Sequence, residues 1–490
     1  MLDWFTGIFM LFGVVAALRR WRDVRSLLLL SWLGIMLLPG VLSLEFEAPQ
    51  GLRSIGVIPA AVLLATLGLE RFTVSFRPLL NRSLSITFAV TGLALVTALN
   101  AGTYFGAQAN NFAVWNGFST AESMVGRRLA EKSSQDQRAL VSVFYLGHPA
   151  VRFYADTTPE TLNATEQLPL RKDVNTVLFL EPQEEATYHL VRRYYPKADC
   201  TERLRRPEEP VVLYTCTVPS DVITASRGLV ARYTHLSALG TSGSSEQLLS
   251  STAIPPPIST GREGYLVEVE GGLLAPTFGI YRFALDGPPT ARFSLDDKEL
   301  LVGGTTPVAV QLARGLHKLR LSGPVGGDAS DIRLQWQPPG GEWGIVPQDL
   351  LFHGSVQPMG LVGSYVPGAT AGADVAFRVV DASPAIYFHV PPLAIPFNVS
   401  WTGSLYTERA GAYRFALSSI SRARLEIDGK EVVAAQQPGP ATEGTIELAS
   451  GWHRLELDYL AAAPYAQVFL RWNPPGGPQG ILPPEVLRPW

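Results

Sequence analysis

GAYRFALSSISRARLEIDGK (residues 411–430) repeats, without a gap, an earlier stretch of the same chain, GIYRFALDGPPTARFSLDDK (279–298). Both keep the opening Gly, the run Tyr-Arg-Phe-Ala-Leu, an Ala-Arg pair, a late Asp and the closing Lys. Self-similarity at a fixed offset marks a duplicated unit. The echo extends in both directions. Upstream, GLVARY (228–233) matches GLVGSY (360–365). Downstream, LARGLHKLRL (312–321) matches LASGWHRLEL (448–457), and LQWQPPGGEWGIVP (334–347) matches LRWNPPGGPQGILP (470–483). The second half of the chain therefore reads as two tandem domains, 228–354 and 360–490.

Each repeat reads as strands. YRFAL, ARLEID, HRLELDY and VFLRW alternate apolar with polar residues, the period of half-buried antiparallel strands. Asp428-Gly429 and the Pro-Pro-Gly-Gly runs at 338–341 and 474–477 supply turns between them. Short strands with regular turn signals predict a β-sandwich or a partly closed barrel. Tyr281, Phe283, Tyr413 and Phe415 are expected in the cores. Trp336 and Trp472, before the proline turns, are placed to seal them.

At these residues the sequence resembles the protective-antigen-type (PA-14) domain, over both repeats. The second repeat carries the whole pattern: Trp401-x-Gly403, Gly411-x-Tyr413-x-Phe415, the Asp428-Gly429 turn, and Gly451-x-His453. The first keeps Gly271 but has Val269 where the tryptophan stands, and Asp296-Asp297 in place of Asp-Gly. The resemblance implies a β-sandwich used outside the cytoplasm to bind carbohydrate, and makes Asp286, Asp296, Asp297 and Asp428 the candidate sugar-binding residues. It also implies calcium held by two consecutive aspartates just after the Gly-x-Tyr-x-Phe strand. That loop reads Asp286-Gly287 in the first repeat and Ser418-Ser419 in the second. Calcium takes six to eight oxygens, carboxylates among them, so neither metal nor cofactor is expected.

The first hundred residues have a different character. Overall values of 47% hydrophobic and 17% charged average two unlike halves. Apolar runs occupy 2–18, 26–44, 55–69 and 84–105. A bilayer core needs about twenty such residues and at least about seventeen. The second and fourth runs meet this, the first is marginal and the third short; four transmembrane helices are expected. Arg19, Arg20, Arg22 and Arg25 crowd the first connection, and Arg71, Arg77 and Arg82 the third. The positive-inside rule then places those connections in the cytoplasm and everything after Phe105 outside. Residues 1–18 lack the basic start and small-residue cleavage site of a signal peptide. A first helix that enters from outside without a leader implies a chain that once began earlier.

A second resemblance attaches to GLRSIGVIPAAVLLATLGLERF (51–72), which is similar to the last membrane segments of GT-C glycosyltransferases of the protein-O-mannosyltransferase-like group. It implies an outer-face enzyme using a polyprenyl-phosphate sugar, of which this chain would be the C-terminal part, with its sandwiches positioning the acceptor. The group's catalytic carboxylate lies in a loop this chain lacks. Glu45 and Glu47 are the acids of the external membrane loop. Arg53 is the lipid-phosphate candidate, since arginine pairs bidentately with phosphate, beside the plainer reading of an interfacial arginine.

Between the membrane region and the repeats, LVSVFYL (140–146) and NTVLFLEP (175–182) read as buried strands, whereas TAESMVGRRLAEK and EEATYHLVRRYYP have helical periodicity. His148 is expected to cap a loop, because no nucleophile or ligand cluster accompanies it. Cys200 and Cys216, the only cysteines, flank an Arg-Pro-Glu-Glu-Pro turn that would set them opposite one another. Outside the cytoplasm such a pair oxidises. A net charge of −3 leaves no basic field for nucleic acid.

The chain therefore reads as a multidomain, multi-pass protein of the cell membrane. A four-helix transmembrane bundle (1–106) precedes a small extracytoplasmic α/β domain (107–220) and two all-β sandwiches (221–357 and 358–490). The expected partners are a glycan or cell-surface polysaccharide and membrane lipid, polyprenyl phosphate included. The two functions in competition are glycan binding and, by the second resemblance, sugar transfer.

Overall fold

The computed structural model describes residues 3–42, 55–75, 82–132, 137–155, 159–237, 240–257, 264–304, 306–326, 331–369, 374–387 and 391–490. Glu45, Glu47 and Arg53 lie outside the described residues. The chain forms two compact units, Met1–Phe118 and Ser119–Trp490.

The first unit is helical: α1 (Trp4–Arg19), α2 (Val24–Val41), α3 (Val57–Ser75) and α4 (Arg82–Ala101). Asp3 and Asp23 start α1 and α2 by accepting the backbone N–H groups of Thr6 and Ser26. α1 and α3 cross at backbone contact. A Cβ added to Gly13 would lie 1.8 Å from the Leu64 carbonyl oxygen, and one on Gly68 would lie 1.9 Å from that of Phe9. Small residues permit this approach where no water drives helices together. Among the described residues, three helices are long and apolar enough to cross a membrane: Val24–Val41, Val57–Ser75 and Ile86–Gln108. The run that looked short, 55–69, belongs to a 19-residue helix that continues through Glu70 and Arg71, both good helix formers. Trp4–Arg19, with 16 residues, is the short one. This unit is a membrane-associating segment.

The second unit begins with a five-stranded mixed sheet. Its order is Glu160–Thr161, Gln137–Val141, Asn175–Leu180, Leu213–Val218, Asp199–Arg203; the first three are parallel and the last two form a hairpin. Helices Thr120–Lys132 and Glu185–Tyr194 lie where periodicity predicts them. The strand expected over 140–146 stops at Val141. Ser142 turns the chain, and its carbonyl accepts the N–H groups of Tyr145 and Leu146, so Val143–Gly147 is helical. In the hairpin Cys200 pairs in register with Cys216, and the two form a disulfide.

Two sandwiches follow. In the first, one sheet runs Lys298–Val302, Arg292–Leu295, Gly315–Gly326, Gly264–Ala275, Leu229–Ser237, Gly240–Leu249, and the other runs Val308–Leu312, Gly279–Asp286, Ile332–Gln337, Gly344–Ile345. In the second, the corresponding sheets are Lys430–Ala435, Ala423–Ile427, Gly451–Ala461, Phe397–Thr407, Leu361–Pro367, Phe377–Asp381, and Thr442–Leu448, Gly411–Ser419, Val468–Asn473, Gly480–Ile481. The strand order is the same in both. Tyr281, Phe283, Tyr413 and Phe415 are buried as expected. Tyr281 stacks on Trp336 and Tyr413 on Trp472, with ring centroids 5.5 and 5.7 Å apart. Offset aromatic pairs of this kind add about 0.5–1.5 kcal/mol beyond the area they bury.

The first sandwich shares one hydrophobic core with the α/β region, from Leu140 to Val356, while the second has its own. The sandwiches meet at a short backbone bridge: Arg314 N–H donates to the Arg378 carbonyl and Val380 N–H to that of Arg314, each at 2.8 Å. Trp490 then stacks on His317, with centroids 4.5 Å apart.

Candidate functional site

The four candidate aspartates occupy separate places. Asp296 and Asp428 sit at the hairpin turns with φ of 53° and 51°, in the left-handed region that Asp tolerates better than most residues. Each carboxylate is already engaged. One oxygen of Asp428 accepts the Arg454 N–H at 2.9 Å, and the other lies 2.6 Å from His453 Nδ1. Asp296 does the same with the Lys318 N–H, at 2.9 Å, and with His317 Nδ1, at 2.7 Å. Each aspartate thus ties its turn to the neighbouring strand of the sheet, Gly315–Gly326 in the first sandwich and Gly451–Ala461 in the second. Sequence reading saw the Asp-Gly and Gly-x-His motifs; their meeting depends on the strand pairing.

Asp297 faces solvent and ion-pairs with Lys318 at 2.8 Å and Arg320 at 3.3 Å. The hydrogen bond from Lys318 holds its carboxyl below the usual range. Asp286 ends strand Gly279–Asp286, exposed, opposite Arg333. It therefore lies in one sheet of the first sandwich and the Asp296–Asp297 turn in the other, so the structure does not gather the four into one site. After the matching strand of the second sandwich, Ser419 Oγ donates to the Ser421 carbonyl at 2.6 Å, closing that loop without carboxylates. Among the described residues no group of three or more His, Cys, Asp or Glu is placed to hold a metal ion. His148 caps helix Pro149–Tyr154, its Nδ1 accepting the Ala150 N–H at 3.3 Å.

One cleft escaped sequence reading. Ser142 and Glu181 leave the carboxyl ends of the neighbouring parallel strands Gln137–Val141 and Asn175–Leu180, where open α/β sheets place their crevices. Ser142 Oγ donates to the Glu181 carboxylate, and the Glu181 N–H donates to Glu184 Oε2 at 2.9 Å. The second sandwich supplies the facing wall. There Asp381 Oδ2 accepts both Tyr365 O–H and Trp401 Nε1–H, each at 2.8 Å. The space between is ≈ 270 Å³. Burial pushes all three carboxyls up, Glu184 to about 7 and Asp381 to about 6. Buried "VLFLEP" was the only sequence signal on one wall, and the other wall lies some 200 residues away.

The second sandwich carries the Trp, Gly, Tyr-x-Phe and Asp–His features together, and it is where comparison with known proteins finds a family. Residues 391–485 match the PA14 domain family, and a PA14 domain is present there. Solved structures give the finer comparison. The chain is similar to an anti-sigma factor domain-containing protein from Clostridium clariflavum, at 20% identity over 54% of this chain and 100% of that one, with a TM-score of 0.25. It is similar to the PA14 sugar-binding domain from an RTX adhesin, at 17% identity over 27% of this chain and 99% of that one, with a TM-score of 0.25. It is also similar to the A domain of Epithelial Adhesin 6 from Candida glabrata, solved in complex with Galβ1-3GlcNAc. That match is at 12% identity over 27% of this chain and 88% of that one, with a TM-score of 0.24. No curated protein matches the chain in sequence.

Proposed function

We propose that this chain is a membrane-anchored, glycan-binding protein with two PA14 sandwiches in tandem, spanning 221–357 and 358–490. The PA14 match over 391–485, which takes in most of the second sandwich, carries this reading. The shared strand order and the repeated sequence support extending it to the first sandwich. Residues 1–106 would form the anchor, a four-helix multi-pass bundle, with 107–220 as a spacer domain on the outer face. The arginines of the first and third connections and the disulfide support an extracytoplasmic second unit. Asp286 and Asp297 would be the aspartates that accept sugar hydroxyls, while Asp296 shapes the turn next to Asp297 and Asp428 the matching turn of the second sandwich. The sugar-transferase reading, with polyprenyl phosphate at Arg53, rests on the resemblance of residues 51–72 and gains nothing from the described helices.

Co-sedimentation with insoluble cell-wall polysaccharide tests the reading, using the full chain in nanodiscs. The expected result is a saturable bound fraction that a soluble oligosaccharide of the same linkage, or Galβ1-3GlcNAc, competes away. Sedimentation no greater than that of empty nanodiscs would contradict it.

A further inference from the structure

The two sandwiches differ sharply at one matched pair of positions on the outer face of their seven-stranded sheets. In the first, Leu274 and Leu316 pair across neighbouring strands and are 4% and 3% exposed, within the core shared with the α/β region. In the second, the pair is Tyr406 and Trp452, 40% and 41% exposed, with ring centroids 5.1 Å apart. Where the chain packs against itself, this position is aliphatic. Where it is open, two amphipathic aromatics replace the leucines. Arg488 lies 4.2 Å from the Trp452 ring centroid and fixes the indole from one side.

The same face continues away from these rings. Alternation along strands Phe397–Thr407 and Gly451–Ala461 turns Ser404, Thr402 and Ser400 outward beside Arg454, Glu456 and Asp458. At its far end is a groove of ≈ 660 Å³ lined by Asn398, Ser400, Arg424, Gln436 and Asp458. From Asn398 to Tyr406 the strand spans about 27 Å at about 3.4 Å per residue, long enough for several sugar rings in a row.

Arg422 also lines the groove, and most of the other charges on this face are paired. Arg424 pairs with Glu426 at 2.8 Å and with Asp458 at 3.1 Å, Arg454 pairs with Glu456 at 3.2 Å, and Arg488 is held over the indole. A largely paired surface offers little net field to a polyanion or an anionic membrane. It does offer paired donors and acceptors to neutral hydroxyls, beside rings whose negative faces suit the C–H side of a pyranose.

We propose that this outer face binds a neutral glycan chain along strands Phe397–Thr407 and Gly451–Ala461, with rings on Tyr406 and Trp452 at one end and hydroxyls in the Ser400–Arg424–Asp458 groove at the other. The proposal rests on the glycan-binding reading and gives the second sandwich a site of its own on the sheet face, separate from Asp286 and Asp297 of the first.

The test is calorimetric titration of the full chain in nanodiscs with cellohexaose, laminarihexaose and mannohexaose, with heparin as the anionic control. At least one neutral hexasaccharide is expected to bind, its disaccharide far more weakly, and heparin not at all. Tyr406→Ala and Trp452→Ala should each weaken binding about tenfold or more, and Trp452→Phe much less, with unchanged thermal midpoints because both rings lie outside the core. If a hexasaccharide binds the Tyr406→Ala/Trp452→Ala chain as tightly as the parent, this site is wrong while the glycan reading stands. If no probe binds, and the chain instead self-associates until Trp452→Ala makes it monomeric, the face is an interface between copies and the proposal is overturned.

Discussion

Asp428, at a hairpin turn of the second sandwich, and His453, on the neighbouring strand Gly451–Ala461, stand 2.6 Å apart, and the Nε2 of the same imidazole lies 2.9 Å from the Ala449 carbonyl oxygen. Both ring nitrogens thus face acceptors, which only the doubly protonated ring can satisfy. Burial is the largest single influence on His453 and opposes its charge, but the hydrogen bonds to Asp428 and Ala449 outweigh it and raise its pKa. For Asp428 burial again acts first, upward, and the bonds from His453 and the Arg454 N–H overcome it, so its pKa falls.

The pair therefore stabilises the fold over a defined pH window. The His453 contribution is fully present below the unfolded imidazole value of about 6.5 and is lost as pH rises through the raised folded value. The Asp428 contribution is present above about 3.9 and is lost as pH falls through the depressed folded value. Asp428→Asn should lower stability by roughly 1 kcal/mol between these limits, and by less at pH 9. Thermal midpoints of parent and variant measured across pH 4–9 check this. A constant gap would show that the charge on His453 plays no part.

Asp381 supports a second prediction, because the first sandwich supplies its own control. There the Trp401, Asp381 and Tyr365 positions hold Val269, Leu249 and Tyr233, and Tyr233 donates instead to the Pro255 carbonyl. Acid and indole are present together or absent together. Asp381→Leu alone should cost about 2–3 kcal/mol by leaving two donors without an acceptor. The double variant Asp381→Leu/Trp401→Val should cost less than the sum of the singles, by roughly 1–3 kcal/mol. Additive costs in chemical denaturation would remove the coupling.

The same carboxyl has a pH signature of opposite sense. Its folded pKa of about 6 lies above the unfolded value, so the stability it contributes is present at low pH and is lost as pH rises from about 4 to about 6. Asp381→Asn should match the parent near pH 4 and exceed it at pH 7.5. Parallel stability curves for the two proteins would contradict this assignment.

Much of this architecture was legible because it is local or repeated. Period-two alternation indicated the strands, and the repeated sequence indicated which of them correspond. A hairpin turn between Cys200 and Cys216 was enough to put them in register. What could not be read is what distant segments bring together. Ser142, Glu181 and Asp381 meet only through the order of parallel strands and the packing of the second sandwich. Residues 143–146 looked like strand because Val143, Phe144, Tyr145 and Leu146 form an apolar and aromatic run, yet Ser142 turns the chain there. Trp452 was visible as a replacement for Leu316; that one is open and the other buried is set by which sandwich shares its core.

The disulfide closes a loop with a sequence separation of 16. Cross-links of about that length stabilise by about 3 kcal/mol in the chain-entropy model. Cys200→Ala/Cys216→Ala should lose roughly that much in urea unfolding, and reduction of the parent should reproduce the loss. Free thiols at both positions in native, non-reduced protein would contradict the pairing.

A glycan microarray probed with the full chain in nanodiscs, once with calcium and once with chelator, tests the central claim most directly. Glycan binding that needs no paired-aspartate loop predicts signal on a defined subset of neutral glycans, equal in the two conditions and absent from a chain whose second sandwich is unfolded by Phe415→Asp. No signal above that unfolded control would contradict glycan binding itself, and signal that vanishes in chelator and returns with calcium would contradict the metal-independent site.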